Sequence, residues 1–586
     1  MKDLIFYQTM ADKMVRKDRG RDQMLTAMDQ MWRGEWDLPS SLAELRWVHK
    51  VISTDPHDAL RAGTRVLSSA SPRITVQAMG PNEASRAEAD KMERALGWHL
   101  KQASRRRRAS VLRDVVFSAL LYDEVVAQVV YLPHQIEALK AFKGDIRRLQ
   151  AAKKYGPFAV LVRNPRQVHV HYSDWMPEAV VMKRVMPVQE ALAFWGKNAG
   201  NLSRALNRKG MGEMKYVTVY DYMDVEHRAV WALPQEGNGM AAAPLGTEGH
   251  GGVEIMREAH GLGFLPWVAR VGGTTLADEA EHQRVPLLYS VYQAGQWETQ
   301  NVLETLLTSE VIAYAASPRL KVEGPGDGVE VDYGEPGRMA YVAPGHSLSQ
   351  LNPPGLDSGL EAIAERVGNR IGKSTVPRVL QTGDFPSGTA YATLNLATQS
   401  GIKSLNPYKE LAEESLSDIL MQMLAWVKQE NVPLQGFGTG RDAVGKHFTI
   451  NPNTYKVEDL HVSVELTPDV PTDRMARINA ASMAVRELGY SKRRALEQIG
   501  EGDPDVIREE ARSEILEAVE LELEKQEKLA LGQFELKQRL KALEGEIDVG
   551  KNYEEENEPE NSEEYGDEQK KSTLGEHVWG EEVSDI

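Results

Sequence analysis

Cysteine is absent from all 586 residues. That excludes disulfides, thiol nucleophiles and thiolate metal sites. No apolar run reaches the roughly 18 residues that a bilayer-spanning helix needs, so no membrane span is expected. The first residues, MKDLIFYQTMADKMVRKDRGRD, are charged throughout and lack the apolar stretch of a secretory leader. There is no G-x-S-x-G turn of the kind that presents a nucleophilic serine, and no repeat of fixed period. A general excess of positive charge is missing too. The net charge is −17, but residues 544–586 hold 16 Asp or Glu against three Lys, a local −13, so the other 543 residues carry only −4. A nearly balanced body with an acidic appendage is not a generic basic nucleic-acid binder.

What is present suggests chemistry in three places. Gly372-Lys373-Ser374 looks like the end of a phosphate loop. Such a loop needs four residues between its glycines, a buried strand before it and a helix after it. Here Gly368 and Gly372 are separated by three residues, and the preceding AERVGNRI is a polar helical stretch. The spacing favours a helix C-terminus, where Lys373 lies near the last carbonyls. His169 and His171 alternate on a strand and share a face, so a metal could bind there, but no third ligand is near in sequence. The run Arg105–Arg108 could grip phosphates or an acidic partner, or be a solvated helix turn.

Periodicity divides the rest into an α+β, mainly helical chain. Residues 72–77 read as a strand and 82–120 as one long helix. Strands follow at 125–132, 158–164, 168–172 and 179–185, with a charged helix over 134–154. The segments YVTVYDYM and RAVWAL flank DVEH as a hairpin. Residues 284–316 read as one long helix. The Gly- and Pro-rich stretch 317–355 holds the short β-like runs RLKVEG, VEVDYG and MAYVAP, and a second helix, with Asp357 as its N-cap, covers 356–374. A helix of some 40 residues is expected from about Ser387, kinked at Asn406-Pro407. Helices opening at Pro471, Ser491 and Pro504 complete the pattern, the last reaching Leu543. Ile515, Val519, Leu523, Leu536, Leu540 and Leu543 favour packing of this last helix in a bundle or a coiled coil.

The order of these segments resembles that of the portal proteins of tailed bacteriophages. RDVVFSALLYDEVVAQVVYLP with NPRQVHVHYS, then HGLGFLPWVARV, then the helix–insertion–helix of 284–374, then VPRVLQTGDFPSGTAYATLNLATQ carry the likeness. The resemblance implies a wing over 1–283, a first stem helix over 284–316, a clip over 317–355 and a second stem helix over 356–375. A tunnel loop over 376–388, a kinked wing helix and wing β part over 389–470, a helical crown over 471–543 and a disordered acidic tail over 544–586 complete it. It further implies a homo-oligomeric ring, usually of twelve subunits, at one vertex of a virion capsid, with assembly in the host cytoplasm. Double-stranded DNA passes through the axis without sequence preference. The large terminase subunit, a head-completion or adaptor protein, and the major capsid protein or scaffold are the implied partners. No cofactor, membrane or catalytic activity is implied. Arg366, Arg370, Lys373, Asp384, Phe385 and Pro386 are the candidates for the DNA channel, and Arg319, Lys321, Asp327 and Arg338 in the clip for terminase or adaptor contact. The competing expectations are a packaging ATPase that uses Lys373 and a non-viral helical adaptor.

Overall fold

A computed structural model gives the architecture. It describes residues 2–45, 47–70, 72–77, 83–132, 156–173, 176–196, 200–208, 216–234, 252–273, 283–316, 320–323, 329–330, 341–342, 347–350, 358–376, 380, 400–437, 447–467, 471–487, 489, 495 and 504–548. The principal helices are α1 (Leu4–Lys17), α2 (Arg19–Arg33), α3 (Asp55–Ser68), α4 (Glu83–Arg107), α5 (Val111–Tyr122), α6 (Val188–Trp195), α7 (Gly200–Arg208), α8 (Tyr289–Gln293), α9 (Gln296–Ala316), α10 (Ser358–Ser374), α11 (Asn406–Glu430), α12 (Pro471–Glu487) and α13 (Pro504–Asp548). The strands are β1 (Pro72–Val76), β2 (Glu124–Tyr131), β3 (Phe158–Arg163), β4 (Val168–Ser173), β5 (Met176–Pro187), β6 (Tyr216–Asp224), β7 (His227–Pro234), β8 (Val253–Ala259), β9 (Trp267–Val271), β10 (Leu320–Glu323), β11 (Val329–Glu330), β12 (Tyr341–Val342), β13 (Ser347–Gln350), β14 (Leu434–Phe437), β15 (His447–Ile450) and β16 (Val462–Leu466). The mixture of helix and sheet agrees with the α+β expectation.

The chain forms two compact units, Met1–Glu501 and Gly502–Ile586. The main core of the first is built around α11. Its buried residues come in adjacent pairs, Leu411-Ala412, Ser415-Leu416, Ile419-Leu420 and Met423-Leu424, which gives the helix a broad buried stripe. That stripe packs on α5, β2, β9 and β16. Strands β3-β2-β9 form one antiparallel sheet and β4-β5-β6-β7-β8 another, in meander order. The β6–β7 hairpin is as expected. Its turn is fixed by Asp224, whose Oδ1 accepts from the amides of Glu226 and His227 at 2.9 and 2.6 Å. Strand β1 pairs antiparallel with β16, so Ile74 lies opposite Val464.

Three helical expectations change. The helix expected over 82–120 is two helices, because Arg108 adopts a left-handed φ of 55° and Ser110 caps α5 by accepting from the amide of Arg113. The helix expected over 284–316 is broken between α8 and α9 at Gly295, whose φ is 57°. Instead of a kink at Asn406-Pro407, a turn at Ser404-Leu405 ends one helical stretch and α11 begins with Pro407 in its first turn, where no amide is needed. The expected helix 134–154, the Asp357 cap, the start near Ser387, the Ser491 cap and the tail beyond 548 lie outside the described residues. In the second unit α13 is one continuous helix that extends past Leu543 to Asp548, and Ile515, Val519, Leu523, Leu536 and Leu540 are exposed on it. No helix among the described residues is long and apolar enough to cross a membrane.

Candidate functional site

The described residues between Arg284 and Val376 form an arm of two antiparallel helices, α9 and α10, with two short strand pairs between them in the chain. Ser290 donates to the carbonyl of Ser374 at 3.4 Å. Further out, a Cβ at Gly368 would sit 3.7 Å from Gln300 Nε2, so α9 and α10 pack closely there. Beyond the helices, β10 pairs with β13, with Leu320 opposite Gln350, and β11 pairs with β12, with Val329 opposite Val342. Rising numbers on one limb meet falling numbers on the other, so the described pairs are nested. Helix α9 alone extends about 31 Å, at 1.5 Å per residue.

The arm is fixed to the body in two ways. The first is a buried ionic node at its root. Glu124, at the start of β2, is 0% exposed and accepts from Arg21 at 3.3 Å and from Arg284 at 2.8 Å, using both oxygens. Arg21, on α2, also reaches Asp22 and the carbonyls of Pro165 and Val168, and lies 3.3 Å from Asp18. His169 joins the node, with Nδ1 3.1 Å from Asp18 Oδ2. Next to Glu124, Asp123 has a left-handed φ of 50° and accepts from the amide of Val285 at 2.9 Å. A Cβ at Gly272 would come within 2.0 Å of Asp123 Oδ1, so only glycine fits there. Tyr408 of α11 donates to the carbonyl of Val285 at 2.8 Å. Residues 284–288, expected as helix, are therefore spent on anchoring.

Burial acts first on the carboxyl of Asp18 and pushes it up. The hydrogen bond from His169 and the charges of Arg21, His169 and Arg284 outweigh that, and hold it below the usual carboxylate range. For Asp22 burial prevails and the carboxyl is raised.

The second attachment is a polar ladder along α9. Trp297 donates to the carbonyl of Ser53 at 3.3 Å, and the amide of Ser53 donates to Asn301 Oδ1 at 2.7 Å. Thr305 accepts from the amide of Val51 at 3.0 Å and donates to its carbonyl at 3.2 Å. Ser309 does the same with His49, at 2.8 and 3.4 Å. The rungs match because four helical residues rise about 6 Å, and two extended residues span about 6.6 Å. Asn301, Thr305 and Ser309 are all 0% exposed. Helix α9 thus buries polar side chains, while Val311 and Ile312 are exposed.

The sequence-derived candidates fall unevenly on this framework. Arg366, Arg370 and Lys373 are all exposed on α10, together with Glu361, Glu365 and Asn369. Ala364 and Ile371 face inward. Gly372-Lys373-Ser374 occupies the last turn of α10, as the spacing predicts. Lys321 is placed on β10 by its backbone. Arg319, Asp327, Arg338, Asp384, Phe385 and Pro386 lie outside the described residues. His169 is not free to join His171 on a metal, because Asp18, Asp22 and the Arg21 guanidinium surround it. His171 is 3.7 Å from Glu178 instead. The arginine run is structural at two positions: Arg106 donates to the carbonyl of Gly156 at 2.7 Å, and Arg107 pairs with Asp114 at 2.9 Å. The node and the ladder are not legible from motif spacing, although Trp297, Asn301, Thr305 and Ser309 recur every four residues.

No family model matches this chain. No curated protein matches it either. Among solved structures it is similar to the neck of a native GTA particle computed with C12 symmetry, at 12% identity and a TM-score of 0.37, over 77% of this chain and 91% of that one. It is also similar to the neck of an empty GTA particle computed with C6 symmetry, at 12% identity and a TM-score of 0.38, over 79% of this chain and 95% of that one. A third is the virion of a native gene transfer agent particle, at 12% identity and a TM-score of 0.36, over 80% and 95%.

Proposed function

We propose that this chain is a portal-like subunit: many copies form a ring at one vertex of a virion, and double-stranded DNA passes through the hole. The observation that carries the reading is the arm. Two helices run antiparallel, two short strand pairs lie between them in the chain, and the exposed face of α10 is largely polar. Placed side by side around an axis, such helices give a wetted wall. Arg366, Arg370 and Lys373 on that wall can meet phosphates weakly and without regard to sequence, which lets DNA slide. The segment of the strand pairs is the surface offered to the terminase and later to a head-completion protein, and the body is the surface offered to the capsid shell or scaffold. No step of this role requires catalysis or a cofactor.

Imaging of the purified full chain tests the proposal. Rings with a central hole wide enough for a duplex are expected. A monodisperse monomer or dimer at every concentration would overturn it and favour the helical adaptor. Nucleotide binding abolished by Lys373→Ala would favour the ATPase; a phosphate loop would have to leave a strand and open a helix, whereas Lys373 closes one. Rings should also melt at a higher temperature than dissociated subunits, because association stabilises only the folded form. Equal melting temperatures would count against a ring that covers the arm.

A further inference from the structure

The charges on α10 are sorted rather than mixed. Glu361 and Glu365 are four residues apart and share one edge of the helix. Arg366 and Arg370 are also four apart and share another, with Ile363, 45% exposed, beside them. At about 100° per residue, the two edges lie roughly 140° apart, with Ala362, Asn369 and Lys373 along the exposed midline between them. Residues four apart on a helix are neighbours, so each edge sets like charges together, which destabilises an isolated helix. No Glu of α10 has an Arg or Lys three or four residues after it. Elsewhere the chain does place opposite charges at that spacing, as in Lys409–Glu413 at 3.4 Å and Glu524–Lys528 at 3.1 Å. Among the described residues, none of these four side chains on α10 makes an ion pair.

Helix α10 therefore carries two complementary edges that cannot satisfy each other within one copy. They flank the exposed face symmetrically, as the two sides of a wall segment would. Resting on the ring reading above, we propose that α10 is the seam between adjacent copies. The Glu361–Glu365 edge of one copy docks on the Arg366–Arg370 edge of the next, and Ile363 is covered at the same junction. The contact is head-to-tail, the kind that gives a ring where the rotation between copies closes and an open filament where it does not. In that arrangement Arg366 and Arg370 give up the phosphate-facing position assigned to them above and face the neighbour, and of the three basic residues Lys373 alone stays along the hole, beside Ala362 and Asn369. Attraction between opposite edges fixes the order of assembly, and salt weakens it.

Charge reversal in the full chain tests the seam, with the ring fraction read by sedimentation and imaging. Glu361→Lys with Glu365→Lys makes both edges basic; Arg366→Glu with Arg370→Glu makes both acidic. Each double variant alone should lose ring fraction roughly tenfold or more, since like charges then face each other at every junction. Mixed in equal amounts the two should form rings again, with the variants alternating. The fourfold variant, whose edges are exchanged within one chain, should also form rings. Rings that persist in both double variants would overturn the seam and leave the ring reading intact. Loss without recovery in the mixture and in the fourfold variant would show a structural role only and also overturn it. If the unaltered chain forms no ring, the ring reading itself fails.

Discussion

Glu124→Ala is expected to destabilise the first unit by about 3–5 kcal/mol, the range for breaking a buried ion pair by removing one partner. The effect should be that large because Glu124 is fully buried and serves two guanidiniums at once, from α2 and from the segment that starts the arm. Arg21 keeps Asp18, Asp22 and two carbonyls, and Arg284 loses the carboxylate oxygen that its Nε donates to. Chemical denaturation followed by tryptophan fluorescence measures the change, and proteolysis between residues 283 and 296 should become faster. A loss below about 1 kcal/mol would show that the node is not what holds the root. The node also has a pH signature. The folded pKa of Asp18 is depressed, so its contribution is complete above the unfolded value and is lost as pH falls through the folded one. Asp18→Asn should therefore cost stability at neutral pH, and the cost should shrink in acid below about pH 4. The raised pKa of Asp22 acts in the opposite sense: its contribution is present in acid and lost as pH rises through the folded value.

The triple variant Asn301→Leu, Thr305→Val and Ser309→Ala is expected to detach residues 49–53 from α9. Each change removes the acceptor of a backbone amide, and leaving such a group unmet costs about 1–3 kcal/mol. Three rungs on one face should lose together, because freeing one amide loosens the extended segment that holds the next. Hydrogen exchange at the amides of His49, Val51 and Ser53 reads this directly. Protection should fall at those three and persist in α11. Glu298→Ala, on the exposed side of the same helix, should leave exchange unchanged. Unaltered protection in the triple variant would mean that packing, rather than the side-chain ladder, holds the segment.

Much of the fold is legible where the determinants are local. The β6–β7 hairpin follows from two alternating runs around an Asx-type turn at Asp224, and α10 from its apolar stripe and polar face. Breaks are harder to see. Arg108 and Gly295 take left-handed conformations inside stretches that otherwise read as helix, and only Ser110, a good N-cap ahead of Arg113 and Asp114, signals the first break in sequence. Helix α9 departs from the usual rule: Asn301, Thr305 and Ser309 are buried with Trp297 and Leu303 while Val311 and Ile312 are exposed, so hydrophobic patterning alone does not mark its buried sides. Contacts between remote segments leave no local trace. Arg21, Glu124 and Arg284 meet across nearly half the chain, and nothing in their neighbourhoods marks the meeting. The exposure of Arg366, Arg370 and Lys373 follows from helical periodicity. The sorting of acid and base onto separate edges becomes meaningful only once the buried side of α10 is known.

The pairing of β1 with β16 has a consequence for how the chain is made. When residues 72–76 leave the ribosome, their partner at 462–466 has yet to be synthesised, and α11, which packs on that partner, is also still to come. The N-terminal half must wait through nearly 400 residues of translation with a strand edge and much of its apolar surface uncovered. Nascent chains stopped before β16 should accordingly need a chaperone to stay in solution, whereas those released after Leu466 should not.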